Sequence, residues 1–123
     1  MQLAIIQICV DARLDHNLIR DQVGEKLANL HLRADSILLV NEIGGNFGQN
    51  FTNTLHLFLK EGADVIFCGV LHHDDCLAAK HKLRLPLEET RARIQDVLEN
   101  IGIACPIYVG GITTETNVVE WSS

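Results

Sequence analysis

The chain has 123 residues, 47% hydrophobic and 21% charged, which gives room for one compact domain over 1–123 with its own core. Its formal net charge is -6, and Lys and Arg are scattered apart from a loose group at Lys80, Lys82 and Arg84, so a nucleic-acid surface, which needs clustered cations, is not expected. No apolar run has membrane-spanning length, and the apolar start Leu3–Val10 has neither a positive leader region nor a small-residue cleavage site; the expectation is a cytoplasmic protein with reduced thiols.

Residues 2–10 form a short apolar run with β-branched members, as a buried strand requires. It ends in Cys9-Val10-Asp11-Ala12-Arg13. Residues 15–31 then place Leu18, Ile19, Val23, Leu27 and Leu30 at spacings of three to four, which predicts an amphipathic helix with Asp15 as its N-cap. Residues 36–41 read as a second buried strand. The loop 43–48 follows, where Gly44, Gly45 and Gly48 allow sharp bends or close approach to a ligand. A helix is predicted over 49–61, with Phe51, Leu55, Phe58 and Leu59 on one face and Gly62 as its stop.

Residues 64–71 read as a third strand, followed by His72-His73-Asp74-Asp75-Cys76. Asp74 or Asp75 is expected to cap a short helix carrying Cys76, Leu77, Ala78 and Ala79. Pro86 opens a helix over 87–101, with Leu87, Ile94, Val97, Leu98 and Ile101 inward and Gly102 closing it. Residues 103–109 form a fourth strand, and 117–121 pair back as an edge strand. Strand–helix alternation implies parallel strands with right-handed crossovers. The predicted fold is therefore α/β, a three-layer doubly wound, mostly parallel sheet with a C-terminal antiparallel edge hairpin. Strands one and three are neighbours in such a sheet, and ligands bind outside the carboxyl ends of the strands.

Those carboxyl ends carry two thiols and an imidazole. Thiolate and imidazole are the ligands zinc prefers, and three of them leave one position of a tetrahedron open, as a catalytic zinc needs. Cys9, His73 and Cys76 are the candidate metal ligands. His73 is chosen over its neighbour His72 because His73 and Cys76, three apart, can point the same way at the start of a helical turn. Cys68 and Cys105 are read as core thiols. Asp11 and Arg13, two apart in an extended segment, share a face and can form a bidentate pair. Asp11 can accept a hydrogen bond from zinc-bound water, with Arg13 orienting it, or can itself serve as a fourth ligand and shut the site. A Cys9–Cys76 redox disulfide is a further reading, but no Cys-x-x-Cys motif supports it.

Cys9-Val10-Asp11-Ala12-Arg13-Leu14-Asp15 after the first strand and Leu71-His72-His73-Asp74-Asp75-Cys76 after the third resemble the beta-class carbonic anhydrases. The resemblance implies Zn2+ held by Cys9, His73 and Cys76, and Asp11 and Arg13 as a dyad that gates the metal or orients its hydroxide. It implies reversible hydration of carbon dioxide to bicarbonate by a zinc-bound hydroxide. His72 itself reads as a residue that supports the site or the fold, with proton carrier as a second role open to it. It also implies a homodimer or dimer-based oligomer, a small-molecule substrate, and neither nucleic acid nor membrane as partner. The chain differs from the family's pattern at Val40-Asn41-Glu42-Ile43-Gly44-Gly45, where Arg-Asn-Ala-Gly is usual, and at Leu77, where Gly usually follows the cysteine. A change of electrophile to carbonyl sulfide or carbon disulfide would lie there. The remaining reading is a non-catalytic zinc-binding protein closed by Asp11. Phe47 and Phe51 are the aromatics nearest this pocket in sequence.

Overall fold

The first strand, β1 (Gln2–Cys9), is buried at every residue after the first. A parallel strand covered on both faces has to be apolar in this way. In the computed structural model, which describes residues 1–122, β1 lies between two parallel neighbours, β2 (Ser36–Glu42) and β3 (Asp64–His73). Next to β3 runs β4 (Ile107–Ile112), also parallel, and β5 (Val119–Trp121) closes the edge antiparallel to β4. The order β2-β1-β3-β4-β5 makes a five-stranded, mostly parallel sheet with an antiparallel edge, as the alternation predicts.

Four helices cover it: α1 (His16–Asn29), α2 (Gln49–Lys60), the short α3 (Leu77–Lys80) and α4 (Leu87–Asn100). Asp15 caps α1 by accepting from the Leu18 amide at 3.1 Å. α1 buries Ile19, Val23 and Leu27 against Ala4, Ile6, Ile8, Phe67 and Leu71. On the other face, α2 and α4 bury Phe51, Leu55, Ile94 and Leu98 against Leu3, Ile5, Cys68, Val70 and Val109. Alternate residues of the central strands thus feed two separate cores, the three-layer arrangement. Leu18 and Ile101, expected on the inward stripes, are exposed. Phe47 and Phe51 pack together at 5.5 Å within the α2–α4 core, away from the site. No helix among the described residues is long and apolar enough to cross a membrane.

Three strands have boundaries that differ by two residues or more from the sequence reading. β3 runs two residues further, through His73, because Gly111 and Ile112 of β4 supply partners for His72 and His73. β4 in turn starts four residues late and continues through Gly110 and Gly111, which look like turn residues. Gly110 is there because β5 approaches so closely that an added Cβ would collide with the Glu120 carbonyl. β5 starts only at Val119, since Asn117 turns back with φ 57°. At this edge Trp121 meets Phe67 edge-on at 5.9 Å, and the Lys26 ammonium of α1 lies over its ring at 5.7 Å.

Candidate metal centre

Because β1 and β3 are parallel neighbours, both deliver their carboxyl ends to one edge of the sheet. Cys9 is the last residue of β1, His73 the last of β3, and Cys76 stands just before α3. All three are buried, and their ligand atoms lie within 4.8 Å of one another. The two sulfurs are 3.9 Å apart. Two thiolates on a tetrahedral zinc, with bonds of about 2.3 Å, would stand about 3.8 Å apart.

The histidine is oriented for ligation. Its Nδ1 donates to the Asp74 carbonyl at 2.7 Å, which fixes the proton there and leaves Nε2 with its lone pair. That Nε2 is buried with no hydrogen-bond partner. An orphaned buried nitrogen next to two thiols fits a divalent metal such as zinc, which would satisfy it. Thr114 supports the turn by donating its amide to Asp74 Oδ1 at 2.7 Å.

Cys9 has its own support. The Gly44 amide donates to its Sγ at 3.2 Å. Gly44 has φ +69°, and an added Cβ would stand 3.1 Å from Ala78 and 3.2 Å from Arg84, so only glycine brings that amide in without strain. Burial pushes the Cys9 thiol up; the Gly44 amide opposes this, while Cys76 and Asp11 add to it. A metal cation is what would reverse the balance and hold the thiolate.

Asp11 and Arg13 meet at the rim. Arg13 Nη2 donates to Asp11 Oδ2 at 2.8 Å, and Nε and the main-chain amide donate to Oδ1 at 3.1 and 2.9 Å. The same Oδ2 is also turned inward, 3.7 Å from His73 Nε2. Arg13 also reaches Asp75, at Oδ2 and at the carbonyl, both 2.9 Å. The Arg13 hydrogen bonds hold the Asp11 carboxyl down at about 2, against its ordinary 3.8. A carboxyl lowered on folding stabilises the protein above its ordinary value and loses that contribution as pH falls through the folded value. A carbon-13 titration of Asp11 should therefore show a midpoint near 2 and no inflection from about pH 4 to 9. A midpoint at or above 3.8 would mean that the clamp does not form in solution.

His72 is not in the cluster, because successive strand residues face opposite ways. Burial, with Arg84 and His73 nearby, lowers it to about 4, which keeps it uncharged at neutral pH and weighs against a proton-carrying role. Neither Asp74 nor Asp75 caps α3; Cys76 takes the N-cap position, and the two aspartates serve Thr114 and Arg13. Glu42, the acidic residue added to the loop, accepts from the Asn50 amide at 3.0 Å and so caps α2 in place of Gly48. Leu77 is 67% exposed, so its bulk points away from the buried centre. The sequence reading missed Asp75, Thr114 and Asn117, whose amide donates to the Arg13 carbonyl at 3.1 Å. Asp75 had the look of a helix cap, and nothing around Thr114 or Asn117 pointed to the site. A cavity of about 480 Å³ opens onto Asp11, lined also by Val10, Ala12, Leu14, His16 and Asn41.

No family model and no curated protein matches the chain. Among solved structures it is similar to carbonic anhydrase from Streptococcus mutans, with TM-score 0.61 and 19% identity over 98% of this chain and 81% of that one. It is similar to a mutant of the beta-carbonic anhydrase CafD from Aspergillus fumigatus, with TM-score 0.60 and 11% identity over 100% and 90%. It also resembles tetrameric beta-carbonic anhydrases from Sordaria macrospora, with TM-score 0.57 and 10% identity over 98% and 80%. The likeness at these identities is one of architecture, and on it the chain has the fold of the beta-carbonic anhydrases.

Proposed function

We propose that the protein binds zinc through Cys9, His73 and Cys76 and catalyses the reversible hydration of carbon dioxide, with Asp11 and Arg13 as its catalytic dyad. The observation that carries this reading is the unpartnered, buried Nε2 of His73 between two thiols, with the clamped carboxylate of Asp11 3.7 Å from it. Zinc held there would lower the pKa of a water to about 7 and so supply hydroxide at neutral pH.

The chain's own groups then define the reaction. Asp11 remains ionised at neutral pH, so its Oδ2 can only accept a hydrogen bond; it orients the attacking oxygen by its remaining proton. Arg13 holds the carboxylate by both oxygens and keeps that acceptor fixed. Hydroxide supplied there would add to the carbon of carbon dioxide to give bicarbonate, and the proton lost from water would pass to solvent. The cavity beside Asp11, apolar at Val10, Ala12 and Leu14, suits an uncharged linear molecule. The intact clamp also favours the orienting role over ligation, since Asp11 as a fourth ligand would compete with Arg13 for the same oxygens. Val10, Ile43 and Leu77, each next to a site residue in sequence, are exposed apolar side chains, which supports pairing with a second copy at this edge.

Stopped-flow carbon dioxide hydration on protein of known zinc content, from about pH 6.5 to 9, tests the reading. The expected rate rises with pH and scales with bound zinc. A background rate at full zinc occupancy would overturn it, and release of sulfide from carbonyl sulfide or carbon disulfide would then identify a different electrophile.

A further inference from the structure

The other two cysteines, one in the middle of β3 and one ahead of the amino end of β4, have no part in the metal centre. Cys68 is in β3, fully buried in the core with Ile94 and Leu98 of α4. Cys105 is half-buried in the irregular segment between α4 and β4. Their sulfurs are 3.6 Å apart. The backbone arranges this: the Cys68 amide donates to the Pro106 carbonyl at 3.0 Å, and Cys68 pairs in register with Ile107. Residue 105 therefore arrives beside Cys68 on the core face. Cys105 also lines a cleft of about 510 Å³, together with Arg91, Gln95, Glu99 and Ile103. One sulfur of the pair is thus reachable from solvent and the other is not.

We propose that Cys105 and Cys68 form a peroxide-oxidisable dithiol, in which Cys105 is the attacking thiol and Cys68 the resolving one, and whose disulfide ties β3 to the chain entering β4. This does not depend on the zinc reading. The Cys105 thiolate attacks one oxygen of hydrogen peroxide; an S–O bond forms, the O–O bond breaks, and the departing hydroxide leaves as water with the proton that Cys105 gave up. The Cys68 sulfur, losing its proton, then attacks the sulfenic sulfur; the S–S bond forms, and the S–O bond breaks with release of a second water. Two thiols are oxidised by two electrons and one peroxide is reduced to two waters.

The division of roles follows from the surroundings. In the neutral pair Cys105 donates to Cys68. When Cys105 ionises, the Cys68 S–H turns to donate back, and this contact lowers the Cys105 thiol although burial opposes it. The same contact, reinforced by burial, pushes Cys68 well up, so Cys105 is the first to become a nucleophile. Closure needs the sulfurs to come from 3.6 Å to about 2.05 Å. Cys105 can make that move because neither α4 nor β4 contains it.

The test is peptide mapping of the protein, with and without added zinc, after treatment with hydrogen peroxide, alkylation of free thiols and non-reducing digestion before aspartate, which separates Cys68 (64–73) from Cys76. The expected product is a cross-linked Cys68–Cys105 peptide, two hydrogens lighter than its reduced halves and cleaved by dithiothreitol. In Cys68→Ala, where no resolving thiol remains, dimedone should label Cys105 as a sulfenic acid. Full alkylation of Cys68 and Cys105 after peroxide, or pairing of either with Cys9 or Cys76, would overturn the proposal. So would a stable Cys105 sulfenic acid in the unsubstituted protein. The wild-type map decides the matter even if the variant folds poorly.

Discussion

Replacing Cys76 with alanine should leave a protein that cannot keep zinc through gel filtration and that hydrates carbon dioxide at the background rate. Cys76 Sγ is buried and 3.9 Å from Cys9 Sγ, so alanine removes one of only three protein donors from the cluster. Loss of a residue that merely supports a metal ligand costs about 10–100-fold in affinity, and loss of a ligand should exceed about 100-fold. The Cys76 side chain makes no capping bond to α3, so alanine leaves that helix end intact. The wild type should gain melting temperature on zinc addition, since a ligand that binds the folded state stabilises it by mass action, and the variant should not. Metal analysis after gel filtration checks the claim; an unchanged zinc stoichiometry would show that the ligands lie elsewhere.

Asp11→Asn should give the opposite pattern: zinc retained and turnover lowered by about 100-fold or more, the range for losing a positioned proton-handling group. The amide keeps the shape of the carboxylate but exchanges one acceptor for a donor. Arg13 donates to both carboxylate oxygens, so whichever way the amide turns its N–H groups face an Arg13 donor, and with the nitrogen in the place of Oδ2 they also point toward His73. Arg13→Lys should follow in the same direction, because an ammonium cannot reproduce the fork. Rates normalised to bound zinc are the measurement. If Asp11 instead closes the metal as a fourth ligand, Asp11→Asn opens a position and the rate stays level or rises.

The two motifs were legible because they stand where the pattern changes. The apolar runs ending at Cys9 and Leu71 announce strands, and the topology rules make β1 and β3 neighbours, so the convergence of Cys9, His73 and Cys76 could be read before any coordinates. The misplaced boundaries have a common cause. Gly110 and Gly111 carry turn chemistry in the sequence, yet they sit mid-strand because β5 pairs with both and presses against Gly110, a contact that no local pattern encodes. The same holds for the support around the site. Asp75 is 62 residues from Arg13 and Asn117 is 104, and partners so distant leave no local periodicity. Glu42 seemed to be an intrusion into a substrate loop; the structure gives it to the N-terminus of α2.

Trp121 is the only tryptophan in the sequence, and its packing at the last strand makes it an optical probe. Its indole sits edge-on to Phe67 of β3 under the Lys26 ammonium of α1, so its emission responds to the joint between helix, sheet and hairpin. Far-ultraviolet circular dichroism reports the helices and strands as a whole. The two signals are thus independent witnesses of the same melt, and their coincidence or separation reads directly whether the hairpin comes away with the sheet or ahead of it.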